Sequence, residues 1–231
     1  MSKLTLAINT ASSETAIALL EDDKILDEKS WRSENNEAEK LMPAIAKFFK
    51  KKKIEEISRV IVVKGPGSFT GLRVGVTVAN TIAYLDKCEL FGIDTCEYLW
   101  AAVDDKSLKE KGLALIIFAG SKGVYISRPE AKNSQGGGSA KDADLVNLPD
   151  LKKYLEDHKI AKLFGDVSKE QRKILEEFDS TEFIETKISF GEIIQKIIAG
   201  IHEGKFLPAQ IVEPIYVKKP AITESKKSIF T

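Results

Sequence analysis

The run VIVVKGPGSFTG, residues 60–71, joins an apolar β-branched segment to a glycine-rich loop, and a segment with a single charge follows it. Residues 60–63 predict a strand that is buried on both faces of a sheet. From Gly71 to Leu85 the only formal charge is Arg73, and apolar residues occupy two sides of the predicted helix. Because both sides have to be buried, one packs on its own sheet, and the other needs a second layer or another protein chain.

The glycine-rich loop does not have the spacing of a known nucleotide-binding loop. The dinucleotide-binding pattern requires a glycine at position 70, where the chain has Thr70, and no lysine follows at the P-loop position. The loop is therefore predicted to be a turn in which Ser68 or Thr70 caps the next helix. Its seven residues are Gly65, Pro66, Gly67, Ser68, Phe69, Thr70 and Gly71.

The order of elements predicts an α/β fold. Alternation and apolar runs predict strands at residues 4–8, 16–20, 25–31, 60–63 and 90–93. Helical spacing predicts helices around residues 41–49, 72–85 and 98–103, the first ending at the lysine run 50–53. The first hundred residues therefore read βββαβα.

The second half is predicted to start near residues 104–112, which divides the chain into domains at 1–107 and 108–231. A hairpin is predicted at 113–118 and 124–127, strands at 162–164 and 183–184, and helices at 151–158, 169–178 and 193–201. Residues 133–139 have the composition of a flexible loop. The tail from Phe206, with Pro208 and Pro214, is expected to wrap the surface as irregular chain.

Composition excludes several classes of protein. The 231 residues include 35 basic and 35 acidic ones, so the overall charge does not require a nucleic acid, a membrane or an acidic partner. No apolar run approaches the ~18 residues of a membrane span, and the first residues lack a secretion signal. Cys88 and Cys96 have no C-x-x-C spacing, which is typical of reduced thiols. We expect a cytoplasmic protein.

Few residues are candidates for metal or acid–base chemistry. His158 and His202 lie forty-four positions apart, with no second histidine near either, so we expect no intrinsic metal catalysis. Asp166 follows Gly165 after a predicted strand. It could stand at the cleft of an α/β fold or belong to an ordinary turn, and the turn is the simpler interpretation.

Four stretches resemble one known family: LAINTAS at the start, EKLMPAIAKFF, VIVVKGPGSFTGLRVGVTVANTIA, and EPIYVKKPAIT near the end. Together they are similar to the TsaB family, also called YeaZ, of tRNA threonylcarbamoyladenosine biosynthesis proteins. The resemblance covers the first hundred residues, is faint from about 104 to 205, and returns at the tail.

The resemblance implies an actin-like, sugar-kinase-like fold of two βββαβαβα halves, the second of them reduced. It also implies a non-catalytic subunit that pairs with the catalytic subunit TsaD, or with itself as a homodimer. TsaD transfers a threonylcarbamoyl group to adenosine 37 of tRNA, with the ATPase TsaE acting on the complex. The subunit would then have no cofactor of its own, since ATP and the divalent metal belong to its partners, and would meet tRNA indirectly.

The resemblance also implies where pairing takes place, on the first two helices. The corresponding residues are Leu41, Ile45, Phe48 and Phe49 of the first helix, and Arg73, Val74, Thr77, Val78 and Thr81 of the second. This surface agrees with the two-sided helix derived above.

Two positions depart from the family pattern. Asn9 stands where the family usually has an aspartate, and Glu37-Ala38 replaces a histidine–serine pair. A neutral amide offers Mg²⁺ no charge compensation, so we predict negligible ATP hydrolysis by the isolated chain. An actin-fold ATPase or kinase and a stand-alone homodimeric binding module are the alternative functions.

Overall fold

The computed structural model describes residues 3–32, 36–49, 56–104, 107–118, 123–129, 139–176, 181–184 and 188–216. The lysine run 50–53 and most of the predicted loop 133–139 lie outside the described residues. Within these ranges the elements in chain order are β1 (Leu4–Asn9), β2 (Glu14–Glu21), β3 (Lys24–Arg32), α1 (Glu37–Phe48), β4 (Ile57–Val63), α2 (Phe69–Asp86), β5 (Glu89–Ile93), α3 (Thr95–Ala101), β6 (Leu113–Phe118), β7 (Gly123–Ser127), β8 (Asp144–Asn147), α4 (Leu151–Asp157), β9 (Lys162–Phe164), α5 (Lys169–Glu176), β10 (Glu182–Phe183) and α6 (Phe190–His202).

The order βββαβαβα occurs twice, and the two sheets have the same topology. The first sheet has the strand order β3-β2-β1-β4-β5, and the second has the order β8-β7-β6-β9-β10. In each, the first three strands are antiparallel and the last two are parallel to the first. This is the repeated arrangement expected of an actin-like fold.

The strand predicted to be buried on both faces, at residues 60–63, lies in β4, which is beside the central strand β1. Every residue of β1 is buried, and so is every residue of β4 except Ser58. Helices α1 and α2 cover one face of this sheet, and the other face looks towards the second half of the chain. The apolar run at residues 60–63 is therefore a strand covered on both faces, as predicted.

One strand was missed by the sequence analysis. In β8 only Val146 is buried, and its neighbours Asp144, Leu145 and Asn147 are exposed. The strand lies at the edge of the second sheet and pairs with β7 alone. Because an edge strand needs few apolar residues, its sequence has no clear alternation.

The two sheets share one apolar core. Trp100 of α3 meets Phe164 of β9 edge to face, with ring centroids 4.7 Å apart. The buried Trp100 indole donates to Ser127 Oγ at 3.1 Å. Helix α6 packs against β2, β3 and α3, so it joins the halves as well. The boundary predicted at 104–112 falls between the sheets in sequence, while their side chains pack together.

The end of the described chain forms a strap, residues 206–216, which contains no helix or strand. It lies over β5 and α2, as predicted for a surface-wrapping tail. No helix in the described part of the chain is both long and apolar enough to cross a membrane.

Candidate pairing surface and cleft

The glycines of the loop are places where another segment of the chain comes very close. A Cβ on Gly67 would lie 2.2 Å from the Ala11 carbonyl oxygen, and one on Gly71 would lie 2.0 Å from the Thr10 carbonyl oxygen. On Gly75, within α2, it would lie 2.1 Å from Thr10 Oγ1. Thr10 also donates through Oγ1 to the Gly71 carbonyl at 2.7 Å. The loop after β1 therefore lies directly on the glycine loop and the start of α2, which have no room for a side chain at positions 67, 71 and 75.

Several backbone amides that an anion would need already donate within the protein. The Ser68 amide donates to the Ala11 carbonyl at 2.8 Å, and the Leu72 amide donates to the Ser68 carbonyl at 2.8 Å. Ser68 Oγ accepts from the Gly71 amide at 3.2 Å and caps α2. The predicted cap is confirmed for Ser68, whereas Thr70 lies exposed in the first helical turn.

Asn9 shapes the loop after β1. Its Oδ1 accepts from the Ala11 amide at 3.0 Å, and its Nδ2 donates to Ser12 Oγ at 2.9 Å. Only 1% of Asn9 is exposed. Burial raises the pKa of the neighbouring Tyr98 hydroxyl, and a hydrogen bond with Asn9 opposes that shift. The amide is therefore used to hold the loop in place.

A cleft of about 710 Å³ lies between the two halves, and a second cavity of about 420 Å³ adjoins it. The glycine loop and residues 11–14 line the larger cleft on one side, and residues 166–169 line it on the other. Its charged lining residues are two acids, Glu14 and Asp166, and two bases, Arg32 and Lys169. Among the described residues, the lining therefore has no excess of positive charge for a polyphosphate.

Asp166 connects the halves across this cleft. Its two carboxylate oxygens accept from the backbone amide and the hydroxyl of Ser13. Burial raises the pKa of Asp166 above its usual value, and the bonds from Ser13 act in the opposite direction. The simpler interpretation of Asp166 as part of an ordinary turn is wrong. It follows β9 in an irregular loop, beside Gly165, where a Cβ would lie 2.0 Å from the Ile116 carbonyl oxygen.

Two of the nine residues predicted for pairing do not lie at the surface. Leu41 and Ile45 are fully buried between α1 and the first sheet. They recur at helical spacing because they form the inward side of α1, so the prediction is wrong in placing them on an exposed face. Phe48 and Phe49 are half-buried at the end of α1 and pack against the same core.

The second helix has one exposed side. Arg73, Thr77 and Thr81 are exposed, and Val74 and Val78 are half-buried at its border. The most exposed apolar residues of this region are not among the nine predicted for pairing, and they are Tyr84 at 84%, Leu85 at 68% and, on α1, Met42 at 45%. Leu85 follows Thr77 and Thr81 at steps of four residues and Tyr84 lies three residues after Thr81, so helical spacing is a signal that could have found them.

Arg73 is held in a small aromatic cluster. Its guanidinium lies 3.9 Å from the centre of the Phe69 ring, and its Nε donates to the Tyr216 hydroxyl at 3.2 Å. The rings of Phe69 and Tyr216 are 5.0 Å apart between centroids. The cluster therefore joins the first turn of α2 to the end of the strap.

The histidines and cysteines lie apart from the cleft. The ring of His158 stacks on Tyr154, and His202 Nε2 lies 2.8 Å from Asp23 Oδ2. Cys96 is buried, and burial raises the pKa of the Cys88 thiol to about 11. Across the described ranges, no three side chains of His, Cys, Asp or Glu are grouped so that they could hold a metal ion.

Comparison with known proteins agrees with this architecture. The family model described as TsaD, tRNA N6-adenosine threonylcarbamoyltransferase, matches residues 32–203. The chain is 32% identical over 131 residues to the tRNA threonylcarbamoyladenosine biosynthesis protein TsaB of Bacillus subtilis, covering 55% of this chain and 56% of that protein. It is 29% identical over 127 residues to TsaB of Buchnera aphidicola, covering 54% of this chain and 60% of that protein. The matches thus span little more than half the length of these relatives.

The structure of YeaZ from Pseudomonas aeruginosa superposes with a TM-score of 0.67 at 15% identity, covering 93% of this chain and all of that one. Together with the doubled βββαβαβα order, this likeness confirms the actin-like, sugar-kinase-like fold. The chain belongs to the family described by the TsaD model, and within it to the TsaB, or YeaZ, group.

Proposed function

We propose that this chain is a non-catalytic subunit of the machinery that makes N6-threonylcarbamoyladenosine at position 37 of tRNA. In this role it pairs with the catalytic subunit TsaD, supports its activity together with TsaE, and works in the cytoplasm. The names of its relatives support the pathway, because TsaB proteins are described as threonylcarbamoyladenosine biosynthesis proteins.

The exposed side of α2 is the observation that carries the pairing proposal. This side presents the large apolar residues Tyr84 and Leu85, while Arg73 is the only charged residue of the helix before Asp86. Surfaces of this kind, with large apolar groups and few charges, are typical of the centre of a protein interface.

The free energy gained by burying Tyr84 and Leu85 is large enough for these residues to anchor an interface. Burying a large apolar side chain gains roughly 1.5–3 kcal/mol, so covering Tyr84 and Leu85 would contribute about 3–6 kcal/mol before the costs of association. Because both residues already lie on an ordered helix, little backbone entropy is lost when a partner binds. A helical partner face could lie along this side of α2 and contact α1 beside it.

The ATPase or kinase alternative has weaker support from the cleft. The amides of Ser68 and Leu72 are used within the protein, and Asn9 is fully engaged in holding its loop. The direct contact between Ser13 and Asp166 also brings the two walls of the cleft together. We therefore retain the prediction of negligible ATP hydrolysis by the isolated chain, to be measured as phosphate release.

The proposed test is Tyr84→Asp, measured by calorimetric titration of the purified chain with TsaD from the same source. A carboxylate in the centre of an apolar interface should weaken binding at least about tenfold. Its melting temperature should stay within about 2 °C of the wild-type value, because Tyr84 is 84% exposed. Val74→Asp is a poorer choice, since Val74 is half-buried against the core.

Leu145→Asp is the matched control, because Leu145 is 62% exposed on β8 in the other half of the chain. This variant should bind TsaD as the wild type does. Unchanged affinity in Tyr84→Asp would refute the proposed surface, and equal losses in both variants would show that the effect is not specific to α2.

A further inference from the structure

The strap is held against the body of the protein at every third residue. Phe206, Ala209, Val212 and Ile215 are, together with Pro214, its more buried positions. The Ala209 amide donates to the Leu90 carbonyl at 2.8 Å, and the Ile215 amide donates to the Lys64 carbonyl at 2.7 Å. A period of three is typical of an extended, polyproline-like chain, and Pro208 and Pro214 favour that conformation.

The middle of the strap is fastened to α2. Asn80 donates through Nδ2 to the Val212 carbonyl and accepts through Oδ1 from the Val212 amide, each at 2.9 Å. Val212 is 5% exposed and sits over Gly92, where a Cβ would lie 2.8 Å from Val212 Cγ1. Gly65 makes similar room for the Ile215 carbonyl, which would lie 2.7 Å from a Cβ there. The sequence of the body thus fits a strap in this position.

This fastened segment nevertheless exposes large apolar side chains. Leu207 is 79% exposed, Ile211 is 67% exposed and Tyr216 is 40% exposed. A loose loop could fold such residues away, but the bonds at Ala209, Val212 and Ile215 keep the outward side chains pointing outward. Large apolar side chains that are held in exposed positions are typical of an interaction surface.

The strap borders the exposed side of α2 along most of its length. At one end Tyr216 packs on Phe69 and Arg73 in the first turns of the helix. Near the other end, Ile211 adjoins Val212, which is bonded to Asn80. Asn80 lies one helical turn before Tyr84. The strap, α2 and α1 therefore form three neighbouring rows of one surface.

We propose that the strap is a third wall of the pairing surface, and that Ile211 and Tyr216 contact the helices of the catalytic subunit. The proposal rests on the function proposed above. The expected partner face is apolar, with a carboxylate opposite Arg73. A second copy of this chain is the alternative occupant, since it could meet Arg73 with Glu39 of α1 or Glu213 of the strap, and the test below separates the two.

The test is Ile211→Asp in the full chain, titrated with TsaD beside Tyr84→Asp and the control Leu145→Asp. We expect Ile211→Asp to weaken binding about tenfold or more, while the melting temperature and the Leu145→Asp affinity stay unchanged. If Ile211→Asp lowers the melting temperature, Ile211→Ser replaces it, because a small neutral residue at an exposed position should not disturb the strap.

The outcomes separate the two proposals. Weakening by Tyr84→Asp with no effect of Ile211→Asp would refute the role of the strap and leave the pairing surface on α1 and α2. No effect of either variant would refute both. Loss of self-association by Ile211→Asp, with unchanged TsaD affinity, would show that the strap meets a second copy instead and would overturn the proposal.

The carboxylate expected on the partner opposite Arg73 is tested by comparing the TsaD affinities of Arg73→Glu and Arg73→Gln. If a carboxylate faces Arg73, Arg73→Glu should weaken TsaD binding about tenfold more than Arg73→Gln, because it adds repulsion to the loss of attraction. Equal affinities of the two variants would contradict the predicted carboxylate on the partner.

Discussion

Gly75→Ala offers a quantitative test of how the glycine motif works. In an exposed helix this change would raise stability by about 1 kcal/mol, since alanine is the better helix former. Here the new Cβ would lie 2.1 Å from Thr10 Oγ1, so the threonine side chain has to move. Its hydrogen bond to the Gly71 carbonyl, at 2.7 Å, would then be lost.

The expected loss of stability in Gly75→Ala is the sum of the lost hydrogen bond, the overpacking and the gain in helix propensity. The buried hydrogen bond is worth about 1–1.5 kcal/mol, and overpacking costs roughly 2 kcal/mol. After the gain in helix propensity, the free energy of unfolding should fall by about 2–2.5 kcal/mol. For a chain of this size that corresponds to a melting temperature lower by roughly 4–10 °C. Urea unfolding followed by circular dichroism measures the change.

A double-mutant cycle makes the test specific. In a Thr10→Ala background the atom nearest to the new Cβ is absent, so Gly75→Ala should cost about 1–2 kcal/mol less than in the wild type. Strictly additive effects, or a stabilised single variant, would refute the explanation that close approach of the β1 loop requires glycine here. Thr77→Ala, exposed on the same helix, is the control and should be neutral or slightly stabilising.

Two further predictions concern the cleft and the strap. Because burial raises the pKa of Asp166 above 3.8, the folded chain binds this proton more tightly than the unfolded chain, and the resulting stability is lost as the pH rises from about 3.8 through the folded pKa. In urea titrations from about pH 4 to about pH 7, the wild type should therefore lose stability relative to Asp166→Asn, and a constant difference would contradict this. Asn80→Ala leaves the Val212 amide and carbonyl without their partner, so it should cost about 2 kcal/mol and speed hydrogen exchange of the Val212 and Ala209 amides. Unchanged exchange would show that the strap is held by other contacts.

The regular elements could be predicted well because local patterns determine them. The apolar runs at residues 4–8 and 60–63 became β1 and β4, and the single-charge segment after the glycine loop became α2. Bounds differed by a few residues, since caps and first turns are polar. Edge strand β8 escaped because only one of its four residues is buried.

The site was predictable only in part. The glycine loop could be identified as a turn with a serine cap, but the approach of Thr10 depends on contacts across sixty-one positions of sequence. The contact of Ser13 with Asp166 spans 153 positions, and no local pattern encodes it. The family resemblance implies pairing through the first helix and led to Leu41 and Ile45, but helical spacing identifies an apolar side without showing whether a sheet or a partner covers it.

Formation of threonylcarbamoyladenosine on tRNA tests the central claim most directly. TsaD, TsaE and the enzyme that supplies the threonylcarbamoyl donor, all from the same source, would be incubated with tRNA, and the modified nucleoside would be quantified by mass spectrometry. We predict that modification requires this chain, that Leu145→Asp supports it fully, and that Tyr84→Asp reduces it in parallel with TsaD binding. Full modification without the chain, or full support by a Tyr84→Asp variant that no longer binds TsaD, would contradict the account.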